Sequence, residues 1–182
     1  EQEGKESQFN KNSLVRVPIR LGQDSFTVGE ISEENIDRMI DAMKAFRLLM
    51  KVHKVEKYKA LATSAMREAY NGKEVVEIIK EKSGIDIEII DGKKEAIIIA
   101  STDLNHMLKS DKTYLYVDVG GGSTEFSLFD NGKIVVSKSF KAGTVRFLNK
   151  MVCDVVWEEM EKWIKTNTKE YDEVILIGSG GN

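Results

Sequence analysis

Apolar and polar residues alternate near the start of the chain and predict a β-strand over Leu14–Leu21. The apolar side chains recur at every second position, the spacing of a half-buried strand. Pro18 has no N–H group to give to a ladder, so an edge position is expected. After a glycine-containing link, GQDSFTVGE, Ser32 suits a helix N-cap. Apolar residues at helical spacing then predict a long amphipathic helix as far as about Val52.

Short strands and helices alternate through the middle of the chain, each recognised from its hydrophobic period and its flanking cap residues. The predicted elements are a strand at Tyr58–Ala62, a helix in TSAMREA capped by Thr63 or Ser64, a helix at Lys73–Lys82 ended by Gly84, a strand at Ile85–Ile90, a DGKK turn and a helix at Glu95–Leu108.

The last third of the chain predicts further strands. They are an apolar strand ending in Asp118, two alternating runs joined by Asp130-Asn131-Gly132, helices at Gly143–Lys150 and Asp154–Lys165, a buried strand at Glu173–Ile177 and a second glycine loop at Gly178, Ser179, Gly180 and Gly181. Alternation of strand and helix predicts an α/β fold with partly parallel pairing. We expect a lobe boundary near 119–122, with a first lobe at 1–119 and the start of a second at 120–182.

Composition narrows the class of protein without identifying it. The chain has 182 residues, of which 41% are hydrophobic and 31% charged, as in ordinary globular proteins. A net charge of −3 argues against general nucleic-acid binding by bulk electrostatics. The single cysteine, Cys153, fits a reducing compartment, and neither a signal peptide nor an apolar run of membrane-spanning length is present. A cytoplasmic protein without nucleic-acid or membrane partners is expected.

The chemistry concentrates in one stretch, YLYVDVGGGSTEF, at Tyr114–Phe126. Its buried strand delivers Asp118, and three glycines then allow a turn whose N–H groups face an anion. Ser123 and Thr124 add hydroxyl donors, while Asp118 and Glu125 are hard oxygen ligands of the kind that hold Mg²⁺ against phosphate. The stretch therefore predicts a phosphate site, with the loop glycines Gly120, Gly121 and Gly122 at its centre.

Two common phosphate motifs do not describe this stretch. No Gly-Lys-Ser/Thr follows the glycines, so it is not a Walker A loop. The residues after the glycines continue as a strand rather than a helix, which excludes a dinucleotide fingerprint. A strand, glycine turn and strand whose tip meets phosphate is typical of the acetate and sugar kinase, heat-shock protein 70 and actin superfamily, with two ribonuclease H-like lobes built on mixed sheets flanked by helices.

Five motifs in order carry a more specific resemblance: ATSAMREA, GKKEA, VDVGGGSTEFSL, KAGTVRF and IGSGG. Together they resemble the exopolyphosphatase and guanosine pentaphosphate phosphatase family, from Arg20 to Gly181. Members of that family hydrolyse the terminal phosphoryl group of inorganic polyphosphate or of guanosine pentaphosphate, using Mg²⁺. These substrates and this cofactor are what the resemblance implies for the protein, and a homodimer is left open.

The resemblance also implies roles for individual residues. The catalytic base of the family corresponds to Glu95, and its phosphate-clamping arginine corresponds to Arg67. Asp118 and Glu125 correspond to metal ligands. The remaining family positions imply phosphate binding by Gly120, Gly121, Gly122, Ser123, Thr124, Gly178, Ser179, Gly180 and Gly181. Hydrolysis of a phosphoanhydride requires an oriented water, charge neutralisation and little covalent chemistry, which this set of groups can supply.

The chain departs from the family pattern in two places. GKKEAI stands where members commonly have GEEEAR, so Lys93 and Lys94 replace acidic or polar residues and Ile97 replaces an arginine near Glu95. The family's first phosphate loop, of the form IDIGSNS-x-R, has no counterpart. We therefore expect the chain to be a fragment, truncated at both ends and inactive alone, of an enzyme that is active at full length.

Two alternatives remain open at this stage. One is a binding or sensing module that retains the phosphate loops and recognises polyphosphate or guanosine tetraphosphate without turnover. The other is a phosphotransferase related to sugar or acetate kinases, which shares the fold but lacks an evident acceptor site. Binding without hydrolysis would favour the first, and ADP formation with an added acceptor would favour the second.

Overall fold

The computed structural model describes residues 14–99 and 111–180, which form seven helices and six strands. The elements are α1 at Leu21–Thr27, α2 at Glu33–Val52, β1 at Ala60–Ala62, α3 at Ser64–Glu68, α4 at Gly72–Ser83, β2 at Ile87–Ile89, α5 at Gly92–Ile99, β3 at Tyr114–Val119, β4 at Thr124–Asp130, β5 at Lys133–Phe140, α6 at Thr144–Leu148, α7 at Asp154–Thr168 and β6 at Ile175–Gly180. Within these ranges, no helix has the length and apolar character needed to cross a membrane.

The first core lies between two helices and a small parallel sheet. Strand β1 pairs with β2 in parallel, and α2 packs against α4 over them. Ile40 of α2 is 3% exposed and Ile79 of α4 is fully buried, as the helical spacing of apolar residues predicts. Ser32 caps α2 by accepting from the N–H of Asn35, and Gly84 ends α4 with φ 74°. These boundaries confirm the predicted ones.

The second core is built on a four-stranded mixed sheet in the order β5-β4-β3-β6. Strand β4 pairs antiparallel with both β3 and β5, whereas β6 pairs with β3 in parallel. The turn at Asn131-Gly132 joins β4 to β5 with φ of 50° and 71°, the left-handed conformations that tight hairpins require. Helix α7 covers one face of the sheet through Met160 and Trp163. The hairpin and the helices α6 and α7 confirm the sequence prediction.

The start of the described chain differs from its prediction. Leu14–Leu21 forms no strand within the described ranges, and the expected link contains helix α1 instead. The extended segment before α1 is held by side-chain contacts, because Arg38 donates to the carbonyl oxygen of Pro18 over 3.0 Å. Helix α1 forms because Phe26 is buried, at 6% exposure, against the second half of the chain. Among the described residues no strand pairs with this segment, so the period-two pattern alone did not make it a strand.

Two further boundaries also need correction. Helix α5 begins at Gly92 rather than Glu95, because the carboxylate of Asp91 accepts from the N–H of Lys94 over 2.7 Å and caps it. The predicted continuation of α5 to Leu108 lies outside the described residues. The last strand runs over Ile175–Gly180 and is largely exposed, so it is neither as short nor as buried as predicted.

The predicted division into lobes at 1–119 and 120–182 stays a prediction. The described chain has three hydrophobic clusters: one around α2 and α4, one between the mixed sheet and α7, and one around Tyr114, Tyr116 and Phe129 of the sheet. Strands β3 and β4 lie on either side of the predicted boundary, and Val119 pairs with Thr124 across it.

Removing the buried side chain of Ile79 should test the first core. Ile79→Ala leaves a cavity between α2 and α4, so we expect the free energy of unfolding to fall by about 2–5 kcal/mol. The measurement is urea denaturation of the full-length protein. Ile97→Ala is the matched control because Ile97 is 47% exposed, and its effect should stay within about 0.5 kcal/mol. Equal losses in both variants would contradict the assigned core.

Candidate active site

One row of polar side chains crosses all four strands of the mixed sheet. Asp118 pairs with Glu125, Glu125 pairs with Ser139, and Asp118 also pairs with Ser179 of β6. Directly paired residues point to the same face of a sheet. The opposite face is apolar and packs on α7. The polar row lies on the face that α5 covers, and it brings together one aspartate, one glutamate and one serine from three consecutive strands with Ser179 of the distant strand β6.

Glu125 is the most deeply buried of these groups, at 2% exposure. Its Oε1 accepts from the hydroxyls of Ser123 over 2.6 Å and Ser139 over 2.8 Å. Burial raises the pKa of Glu125, the two hydroxyl donors act in the opposite direction, and the neighbouring charge of Asp118 raises it again. The site therefore holds a carboxylate whose position is fixed by two serines.

Glu95 lies in the first turn of α5 and faces the same carboxylates. Gly92 lets α5 approach the sheet closely, because a Cβ there would lie 2.4 Å from the Cβ of Ser139. The pKa of Glu95 is raised to about 7, first by burial and then by the charges of Glu125 and Asp118, while Arg67 and a hydrogen bond from Thr63 act to lower it. A carboxyl group with a pKa near neutrality has the property of a general acid or base.

Arg67 connects α3 to this site. Its Nη1 donates to the carbonyl oxygen of Ile90 over 2.6 Å and lies 3.8 Å from Oε2 of Glu95. That oxygen is buried and has no hydrogen-bond donor among the described residues. The predicted phosphate clamp and the predicted base are therefore neighbours. Glu95 keeps an oxygen able to accept a proton from a water molecule.

The glycine loop, Gly120–Gly122, lies at the carboxyl end of β3 as predicted, between β3 and β4. The N–H of Gly120 donates to the carbonyl oxygen of Ser123 over 2.9 Å and closes the turn. Gly121 is exposed at the tip. Gly122 is buried on the ring of Phe26, where a Cβ would come within 1.9 Å of a ring carbon. No side chain larger than hydrogen fits at that position.

Thr124 occupies a different environment from the other predicted phosphate ligands. It alternates with Glu125 along β4, so its side chain lies on the opposite face of the sheet. The hydroxyl of Thr124 is buried and donates to the carbonyl oxygen of Ala142. Thr124 thus fixes the segment that leads into α6 rather than lining the polar row.

The second predicted glycine loop forms part of β6. Gly178, Ser179 and Gly180 pair with Val117, Asp118 and Val119, and Gly181 lies outside the described residues. The ladder with β3 holds this segment extended despite the weak strand propensity of glycine. At Gly180, φ is 133° and a Cβ would meet the carbonyl oxygen of Val119 at 2.3 Å. The strands are parallel, so β6 and the glycine loop end at the same edge.

Three residues of this region were not found from sequence. Ser139 holds Glu125, and the alternation of serines in SKSF on β5 is the signal that could have identified it. Arg146 and Glu68 form a buried ion pair beside the glycine loop, although they are 78 positions apart. No sequence signal joins two such distant residues.

The departures from the family pattern lie at the surface. Lys94 pairs with Glu88, and Lys93 is exposed. Ile97 is 47% exposed and stands two positions after Glu95, so it points to a different side of α5.

Metal ligation is the last property to consider at this site. Within residues 14–99 and 111–180, no three histidine, cysteine, aspartate or glutamate side chains are close enough to hold a metal by themselves. Mg²⁺ is commonly bound through one or two carboxylates together with substrate phosphates and water. The paired carboxylates Asp118 and Glu125 fit that second mode.

The mixed sheet, its flanking helices and the glycine turn define an α/β fold shared with solved exopolyphosphatase and Ppx/GppA structures, which confirms the predicted α/β fold class. The Ppx/GppA phosphatase family matches residues 10–174. The chain belongs to the Ppx/GppA phosphatase family, as its motifs indicated.

Relatives with different named activities share this similarity. A bifunctional 3-dehydroquinate synthase/phosphatase of Fusobacterium nucleatum is 30% identical over 179 residues, covering 90% of this chain and 27% of that protein. A guanosine-5'-triphosphate,3'-diphosphate pyrophosphatase of Photobacterium profundum is 29% identical over 140 residues, covering 77% of this chain and 28% of that protein. The crystal structure of an exopolyphosphatase from Cytophaga hutchinsonii matches with a TM-score of 0.75 at 28% identity, covering 90% of this chain and 56% of that one. The chain thus spans between about a quarter and about half of these relatives.

Proposed function

We propose that the full-length protein is a phosphohydrolase that releases orthophosphate from the end of inorganic polyphosphate or from guanosine pentaphosphate. Glu95 acts as the general base. The observation that carries this proposal is the position of Glu95, half-buried beside Arg67 and facing Glu125 and Asp118, with a pKa of about 7. Such a group exchanges protons at neutral pH, the property required to activate water.

The described groups suit the other requirements of phosphoanhydride hydrolysis. The glycine loop supplies backbone N–H donors for the terminal phosphoryl group from Gly121, Gly122 and Ser123, while the N–H of Gly120 closes the turn. Arg67 lies next to Glu95 and offers positive charge to phosphate oxygens. Gly178, Ser179 and Gly180 end at the same edge and are proposed to contribute from β6. Little covalent chemistry remains for the protein beyond positioning and charge stabilisation.

Asp118 and Glu125 would hold a divalent cation, and we assign Mg²⁺ on the chemistry of their oxygen donors. Mg²⁺ would neutralise charge on the phosphate oxygens. Two observations support a cation here. The charges of Asp118 and Glu125 both raise the pKa of Glu95, and the charge of Asp118 raises that of Glu125. A bound cation would relieve this repulsion among neighbouring carboxylates.

Orthophosphate release by the full-length protein tests the proposal. With Mg²⁺, we expect release from inorganic polyphosphate or from guanosine pentaphosphate, and loss of release when Mg²⁺ is removed with a chelator. The comparison of both substrates at equal concentration decides which is preferred. The contrary result is that calorimetry shows binding of polyphosphate or guanosine tetraphosphate while no substrate yields orthophosphate. That result would show that the protein is a binding or sensing module and not an enzyme.

A further inference from the structure

The carbonyl groups of the glycine loop are held by three consecutive residues of one short helix. Gly120 accepts from the N–H of Thr144 over 3.0 Å, and Gly121 accepts from the N–H of Val145 over 2.8 Å. The carbonyl oxygen of Gly122 accepts from Nε of Arg146 over 2.7 Å. All three loop carbonyls therefore point toward α6.

This arrangement fixes the direction of the loop N–H groups. In a trans peptide unit, the C=O of one residue and the N–H of the next point in opposite directions, and no cis peptide is present in the described chain. With the carbonyls of Gly120, Gly121 and Gly122 turned toward α6, the N–H groups of Gly121, Gly122 and Ser123 point away from it. Among the described residues, no acceptor takes these three donors.

Of the three donors, only that of Arg146 belongs to a side chain, and this side chain is buried inside the protein. It is 8% exposed. Its guanidinium lies 4.6 Å from the centre of the Phe26 ring, and its Nη2 donates to Oε2 of Glu68 over 2.5 Å. The same Phe26 ring packs on Gly122. Arg146 thus joins the glycine loop to α1 and α3.

The ion pair of Arg146 and Glu68 also connects the glycine loop to Arg67, the predicted phosphate clamp. Glu68 directly follows Arg67 on α3, and its carboxylate lies 3.5 Å from the ammonium of Lys141 as well. Burial makes the pairing of Arg146 important, because a buried guanidinium that loses its acceptors retains its charge. Any change that displaces Arg146 therefore moves the Gly122 carbonyl and α3 together.

We propose that Arg146 is a positioning residue: it turns the glycine loop so that the N–H groups of Gly121, Gly122 and Ser123 face the terminal phosphoryl group. This inference rests on the proposed function only for the identity of the anion. Arg146 does not touch the substrate. It acts through the backbone of Gly122 on one side and through Glu68 on the other.

The test is anion binding by the full-length protein carrying Arg146→Lys, compared in the Glu95→Gln background so that turnover is slow. The probe is inorganic tripolyphosphate, measured by calorimetry. A lysine retains the charge but reaches only one of the two acceptors, so we expect binding at least tenfold weaker. Arg47→Lys is the matched control, because Arg47 also donates to a carbonyl, that of Ser83 over 3.0 Å, away from the loop. Its dissociation constant should stay within twofold.

A second readout separates positioning from stability. In nuclear magnetic resonance spectra of the same proteins, tripolyphosphate should shift the amide signals of Gly121, Gly122 and Ser123, and Arg146→Lys should abolish those shifts. A residue that only stabilised the fold would lower the melting temperature without changing them. Unchanged binding and unchanged amide shifts in Arg146→Lys would overturn the proposal.

If Arg146→Lys does not fold, Glu68→Gln decides, because it leaves Arg146 intact and removes the charge that holds its guanidinium beside the glycine loop. At least threefold weaker binding is expected, and unchanged binding overturns the proposal. Failure of the proposed function is distinguishable. If the wild-type protein binds tripolyphosphate but releases no orthophosphate, the proposed enzymatic function is refuted, and the binding data alone decide the role of Arg146. A wild-type protein that does not bind it refutes both.

Discussion

Glu95→Gln is expected to lower kcat for orthophosphate release by about two to four orders of magnitude, the usual contribution of a general base. The amide has nearly the same shape as the carboxyl group but cannot accept the proton of the attacking water. Substrate binding should change little, because phosphate is proposed to be held by the glycine loop and Arg67. The measurement is steady-state kinetics of the full-length protein with polyphosphate and with guanosine pentaphosphate.

Glu88→Gln provides the matched control for this variant. Glu88 lies on β2, is exposed and pairs with Lys94, so the same substitution removes a charge without touching the polar row. Its kcat should equal that of the wild type. An unchanged kcat in Glu95→Gln, with a normal melting temperature, would show that another group or hydroxide ion activates the water.

The acidic limb of the kcat/KM profile is expected between pH 4.5, the ordinary pKa of a glutamate, and about 7, the pKa of Glu95 without a bound cation. Burial is the largest cause that raises this pKa, and it remains when Mg²⁺ relieves the repulsion from Glu125 and Asp118. A base must be unprotonated to act, so the rate falls as the pH drops through this pKa, by about tenfold per pH unit.

Arg67→Gln provides a second pH measurement, because the direction in which it shifts the acidic limb can be predicted. Arg67 lowers the pKa of Glu95, so its removal should move the acidic limb to higher pH, in addition to any effect on KM. Arg47→Gln, distant from the polar row, should leave the limb in place. A wild-type limb near pH 4.5, or a limb that moves to lower pH in Arg67→Gln, would contradict the assignment of Glu95 as the titrating base.

Much of the local structure follows from the sequence because its signals are local. Ser32 and Gly84 mark helix ends through their own side-chain and backbone properties, and both boundaries agree with the structure. Asn131-Gly132 likewise determines a tight turn by itself. The strand expected at Leu14–Leu21 fails for the converse reason: a strand needs a partner, and no local signal reports one.

The candidate site follows from the sequence only in part. The order of the glycine, aspartate and glutamate residues predicted the turn and its position at the end of β3. The segment Gly178–Gly180 is also glycine-rich, yet it continues as β6 because β3 offers it a parallel ladder. A glycine-rich segment therefore indicates where the backbone can approach another group closely. Pairing with a neighbouring strand decides whether that segment forms a strand or a turn.

The sequence alone determined the fold class and the family and predicted the candidate site residues, since these depend on residue types in order along the chain. Only the tertiary structure decided how those residues act on one another. The raised pKa of Glu95 comes from burial and from carboxylates on other elements. The direction of the glycine loop comes from α6 and from an ion pair between positions 68 and 146. Both are set by distances in space, which depend on how the helices pack against the sheet.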